Sequence, residues 1–122
     1  MRDHMSAEEF REMHSRKPAK YRNKKTTIDG ITFDSRMEAQ RYVELKLQLE
    51  SGIISGFGVQ PSFVLPGGVR YRADFIVSDG ATVWVEDVKG VETQAFKIKR
   101  KLWQRVYGSW LPLKLIKRGD LR

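Results

Sequence analysis

Apolar and polar residues recur in two distinct rhythms along this chain, one helical and one of strands, and the rhythms divide it into elements. Between Ser35 and Ser51, Tyr42, Leu45 and Leu49 recur at helical spacing, and Gly52 ends the run, so a helix is expected there. Stepping back four positions from Tyr42 reaches Glu38, which places a carboxylate at the head of the apolar stripe. Three strands are expected next, at 58–65, 70–78 and 82–89, with Pro66-Gly67-Gly68 and Asp79-Gly80 as the turns between them. A second helix is expected from a Thr93 cap to Tyr107, with Phe96, Trp103, Val106 and Tyr107 on its apolar side and Ala95 and Leu102 alongside. Gly108 closes it, and Leu111–Ile116 has the character of a last strand. Upstream, Ile28-Asp29-Gly30-Ile31 marks a small hairpin over 26–33. The result is one α/β domain over 27–122 in the order α-β-β-β-α-β, a mixed sheet flanked by helices, preceded by an arm over 1–26. Within that arm, Ser6 and Glu9 form a capping box for a short helix over 1–14.

One stretch breaks its own pattern. Trp84-Val85-Glu86-Asp87-Val88-Lys89-Gly90 begins as a core strand and ends on a carboxylate and an ammonium two residues apart. Alternation sends Val85, Asp87 and Lys89 to one face and Trp84, Glu86 and Val88 to the other, so Glu86 points away from the pair. A two-residue turn at Asp79-Gly80 sets Asp74 opposite Val85 and Asp87 opposite Arg72, leaving Asp74 and Asp87 as diagonal neighbours on one face. Two such carboxylates suit a hard divalent cation, and Lys89 beside them suits the negative charge that builds up during phosphodiester hydrolysis. Glu38 would join the cation or a bridging water if its helix packs behind the sheet edge. Each assignment has a plainer rival. Asp87 and Arg72 form an ordinary cross-strand ion pair in that register, and Ser35-Arg36-Met37-Glu38 reads equally as a capping box. Lys89 reads also as a solvated strand end, and Trp84, Trp103 and Trp110 as packing residues.

Charge sharpens the reading. The net charge is +8 and is unevenly placed. Arg16, Lys17, Lys20, Arg22, Lys24 and Lys25 form a basic arm without an acid, and Lys97, Lys99, Arg100, Lys101 and Arg105 form a second cluster. Such patches fit a phosphate backbone, though the second is equally the wet face of an amphipathic helix. The absence of cysteine excludes disulfides, thiolate metal sites and cysteine nucleophiles, and two histidines, His4 and His14, argue against zinc. No apolar run approaches the roughly 18–20 residues of a membrane span, so the chain reads as soluble and intracellular.

These residues resemble the PD-(D/E)XK nuclease superfamily: Glu38 on the first helix, Ala73-Asp74 closing on Asp87-Val88-Lys89, and the element order. More narrowly, the stretch from Tyr21 to Tyr107 is similar to a bacteriophage family related to Holliday-junction resolvases. It shares Asp29-Gly30-Ile31-Thr32-Phe33-Asp34-Ser35, Gln60-Pro61, Glu86-Asp87-Val88-Lys89-Gly90 and Lys99-Arg100-Lys101-Leu102. Ala73 stands where the superfamily has its name-giving proline. The resemblance implies a restriction-endonuclease-like core and a Mg²⁺- or Mn²⁺-dependent DNA endonuclease acting on branched DNA as a homodimer. If phage-encoded, it works in the host cytoplasm. By position it implies Asp74, Asp87 and the Val88 carbonyl as metal ligands, Lys89 as the catalytic lysine, Glu38 as the helix acid and Gln60 as an accessory residue. A nicking or end-processing nuclease, and a non-catalytic nucleic-acid-binding module on the same fold, stay open as alternatives.

Overall fold

The structure is a computed structural model that describes residues 24–121. The helix expected over 1–14 and most of the basic arm, including Arg16, Lys17, Lys20 and Arg22, lie outside the described residues. The chain divides into two compact units, residues 1–39 and 40–122.

In the first unit, β1 (Thr26–Ile28) and β2 (Ile31–Phe33) form the hairpin expected from Asp29-Gly30. Ile28 pairs with Ile31, so Asp29 and Gly30 alone make the loop, at φ of 54° and 77°. Both positions need residues that tolerate left-handed backbone, which is why this dipeptide is so strong a hairpin signal. Helix α1 (Arg36–Glu50) starts in this unit, and its last eleven residues belong to the second.

In the second unit, α1 buries Tyr42 and Leu45 as its stripe requires. Leu49, expected on the same side, is 41% exposed in the final turn, where Gly52 at φ 81° reverses the chain. The sheet has the order β3 (Gly56–Val59), β6 (Phe75–Ser78), β7 (Val83–Val88), β8 (Leu113–Ile116). The first three strands are antiparallel, and β8 runs parallel to β7. A parallel pair needs a long crossover, and α2 (Gln94–Val106) supplies it. The Thr93 side chain caps α2 by accepting the Phe96 amide, and Trp103 Nε1 donates to the Leu111 carbonyl at 2.8 Å. Phe96 and Trp103 are buried, whereas Val106, expected with them, is 43% exposed. At 100° per residue Val106 sits about 80° round the helix from Phe96, off the buried arc.

Two further sequence expectations need correction. The strands expected at 58–65 and 70–78 are each broken, giving β4 (Ser62–Leu65) and β5 (Val69–Arg72) as a separate two-stranded sheet. The break falls at Gln60-Pro61 opposite Ala73-Asp74. Gln60 takes a left-handed φ of 55°, and Pro61 has no N–H to give a ladder. Two bonds carry the chains round the bend together: Gln60 N–H to the Asp74 carbonyl at 2.8 Å, and Ala73 N–H to the Pro61 carbonyl at 3.0 Å. The bend lays Phe63, Leu65 and Tyr71 into a cluster around Trp103, with the Phe63 and Tyr71 ring centroids 4.7 and 5.9 Å from the Trp103 ring.

The second correction concerns register. The loop between β6 and β7 holds four residues, Asp79 to Thr82, because Ser78 pairs with Val83. Asp79 Oδ1 accepts the Ala81 and Thr82 amides at 2.9 and 2.8 Å, closing the wider loop. Those bonds, Thr82's first, hold the Asp79 carboxyl below the usual carboxylate range. Val85 consequently faces Ile76, not Asp74, and Arg72 pairs with Ser62 on β4 rather than with Asp87. The shift is even, so every side chain keeps the face that alternation assigned it.

Candidate active site

Strand β7 places two carboxylates side by side in the core: Glu86 is 1% and Asp87 2% exposed. A buried charge survives only if paired and hydrogen-bonded, and the two find different partners on opposite faces. Glu86 points away from the candidate site, as alternation requires. There the Arg41 guanidinium grips it through Nε and Nη2, each at 2.7 Å, while Trp84 Nε1 donates at 2.9 Å. Hydrogen bonding to Glu86 holds the Arg41 pKa above its ordinary value despite the opposing effect of burial.

On the other face, the Tyr71 hydroxyl donates to Asp87 Oδ2. Lys89 Nζ stands 3.1 Å from Asp87 Oδ1 but outside hydrogen-bond geometry, so Oδ1 is a buried oxygen without a hydrogen bond. Asp74 lies one residue beyond the last β6–β7 pair. Its N–H donates to the Glu86 carbonyl at 3.1 Å, and its Oδ2 accepts the Val88 amide at 2.7 Å. Both aspartates also act on Tyr71. Its pKa is pushed far above the ordinary 10.0 by burial first, then by the charge of Asp87, their shared hydrogen bond and the charge of Asp74. Asp74, Asp87 and Lys89 therefore gather around the end of β7. Gln60 sits at the bend next to Asp74, with its amide on the Asp74 carbonyl.

Tyr71 was not among the residues singled out from sequence. The signal was available: in Arg70-Tyr71-Arg72 the tyrosine alone takes the inward position. A phenol that stays protonated in the folded state but ionises when unfolded stabilises the fold below its ordinary pKa, and that stability is lost as pH rises past it. Tyr71→Phe is expected to cost about 1.5–3 kcal/mol at neutral pH, the range for a hydrogen bond to a charged group. The gap between wild type and variant should then narrow as pH climbs through 10. Urea denaturation across that interval checks this, and parallel curves would mean that Tyr71 does not hold its proton for Asp87.

An open cleft of ≈ 450 Å³ lies against this cluster, and Tyr71 and Lys89 form part of its wall. Arg70, Arg72, Lys99, Ser62 and Thr93 line the rest with Ala95 and Phe96, and among the described residues no acidic side chain does. Lys99 is the member of the α2 cluster that reaches it. Lys97 and Lys101 are exposed elsewhere on the helix, and Arg100 pairs with Glu92 at 3.0 Å. Arg70 and Arg72 escaped the sequence reading as phosphate contacts because the expected register assigned Arg72 to Asp87. In the first unit Lys24 and Lys25 are exposed ahead of β1.

Glu38 also belongs to the first unit, and its local bonds are those of a cap. Ser35 Oγ accepts the Glu38 amide at 3.2 Å and donates to Glu38 Oε2 at 3.2 Å. Among the described residues no group of three or more His, Cys, Asp or Glu side chains could hold a metal ion. A two-carboxylate set still suits Mg²⁺, which is commonly bound through one or two carboxylates plus substrate phosphate and water. The buried, unbonded Oδ1 of Asp87 is the atom that fits such a cation. No helix among the described residues is long and apolar enough to cross a membrane.

Residues 18–118 match the family model described as "Protein of unknown function (DUF1064)". No curated protein and no solved structure matches the chain.

Proposed function

The chain belongs to that DUF1064 family, and from its site geometry we propose that it is a metal-dependent DNA endonuclease of the PD-(D/E)XK type. The observation that carries this reading is the Asp87 carboxylate. It is buried and keeps one oxygen without a hydrogen bond, and its two neighbours Tyr71 and Lys89, the latter 3.1 Å away, line a cleft that also holds Arg70, Arg72 and Lys99. The fold lends support. After the β1–β2 hairpin, and counting β3 with β4 and β5 with β6 as one bent strand each, the order is helix, three strands, helix, strand, with the last strand parallel to β7. That is the order expected of a restriction-endonuclease-like core.

In this reading Asp74 and Asp87 would hold Mg²⁺ or Mn²⁺, with the Val88 carbonyl as the further ligand that the superfamily pattern assigns. The bound cation supplies Lewis-acid stabilisation of the phosphodiester under attack. Tyr71 occupies Oδ2 of Asp87 and so fixes which oxygen is left for the cation. Lys89 both pairs with Asp87 and lines the cleft, so its ammonium can turn from carboxylate to phosphate and offset the charge that grows there. Two symmetric cuts in a branched substrate call for a homodimer, with the basic arm, including Lys24 and Lys25, on a DNA arm.

A second reading, a nucleic-acid-binding module without catalysis, draws on the same site: Lys89 already stands at Oδ1, and no three-acid group gathers among the described residues. Incubating the protein with a four-way junction and a linear duplex, in Mg²⁺, Mn²⁺ or EDTA, separates the two. Endonuclease function predicts cutting only with metal, and faster on the junction. Binding to both DNAs with no product under any condition would leave the module.

A further inference from the structure

We propose that the cleft is a sequence-neutral clamp for the phosphodiester backbone of one nucleic-acid strand, with Arg70 and Arg72 as its principal grips. This deepens the nuclease reading by naming what the site receives. In β5 the two arginines sit two residues apart, about 6.5–7 Å along the strand, and both lie on its exposed face. Tyr71 between them points inward and is 4% exposed. Its ring and that of Phe63 pack on Trp103, so the hairpin that presents the arginines is anchored to the core.

The chemistry of the lining selects the ligand. Guanidinium, ammonium and hydroxyl groups with no acid among them suit phosphate oxygens, and contacts of that kind position a strand without reading it. Holding bases by stacking would need open ring faces, and the two rings in the wall do not offer them. Tyr71 is buried, and Phe96 is 3% exposed with Lys89 and Arg100 over its ring at 4.9 and 5.5 Å. A cleft of ≈ 450 Å³ is of small-molecule size, enough for the sugar–phosphate edge of one strand.

The test measures binding of the full-length chain to fluorescent single strands of about 20 nucleotides, in EDTA and between about 50 and 200 mM salt. Three unrelated base sequences are compared, with wild type, Arg70→Gln/Arg72→Gln and a charge-matched control, Lys46→Gln/Arg118→Gln. Loss of two phosphate contacts should weaken binding about tenfold or more and flatten the salt slope by about 1.4, while the control follows wild type and the three sequences agree within about threefold. Arg70→Lys/Arg72→Lys should restore the slope, which a folding defect would not allow. Unchanged affinity and slope in the Gln pair, or a spread above tenfold between sequences, overturns the clamp. If these results hold but no DNA is cut with metal present, the nuclease reading falls and the clamp stands. If DNA is cut and the arginine pair is indifferent, the reverse follows.

Discussion

Asp87→Asn is expected to slow metal-dependent cleavage by about 10³-fold or more while leaving DNA affinity in EDTA close to wild type, on the scale of losing a principal electrostatic group from a site of this kind. Asparagine keeps the volume and leaves an acceptor for the Tyr71 hydroxyl, so the core around β7 survives the change. What disappears is the negative charge on Oδ1, the buried atom without a hydrogen bond and the partner of Lys89. Single-turnover cleavage with saturating Mg²⁺ measures the effect. A variant rate within tenfold of wild type would remove Asp87 from the reaction.

Arg41→Met should cause the largest loss of stability. Glu86 is 1% exposed, and its carboxylate depends on two 2.7 Å bonds from a guanidinium whose own side chain is 12% exposed. Removing one partner of such a buried pair costs about 3–5 kcal/mol, because the remaining charge is stranded. For a chain of this length that corresponds to a fall in Tm of roughly 10–20 °C. Replacing both partners, as Arg41→Met/Glu86→Leu, should recover most of the loss, since an apolar pair of similar volume replaces a desolvated one. The Trp84 Nε1 bond stays unmade in that double variant and limits the recovery. Urea melts of the three proteins decide it, and a single variant within 1 kcal/mol of wild type would show that Glu86 finds another partner.

The contrast between these two carboxylates shows how much the sequence could say. Alternation along β7 separated Glu86 from Asp87, and it held because face depends only on counting by two. The Asp29-Gly30 hairpin, the Thr93 cap and the buried Trp103 were legible for the same reason: each is set by a few adjacent residues. Register was not, because Asp79 closes a four-residue loop with its own side chain where Asp-Gly alone promises a two-residue turn. The bend at Gln60-Pro61 was hidden as well. A left-handed glutamine is rare, and only the partner strand's matching break at Ala73-Asp74 accommodates it. The Arg41 clamp on Glu86 and the Tyr71 bond to Asp87 join residues 45 and 16 positions apart, which no local pattern specifies. Arg70 and Arg72 became readable as cleft residues only once the bend had moved β5 out of the main sheet.

The proposed nuclease chemistry depends on a divalent cation seated at Asp74 and Asp87 beside Lys89. Adding Mn²⁺ in small amounts to isotope-labelled protein and following the amide signals by nuclear magnetic resonance tests it most directly. Paramagnetic broadening should strike residues 73–75 and 87–89 first in wild type and spare them in Asp74→Asn/Asp87→Asn. If those amides stay sharp while others broaden, or broaden alike in both proteins, the cation binds elsewhere and the account fails.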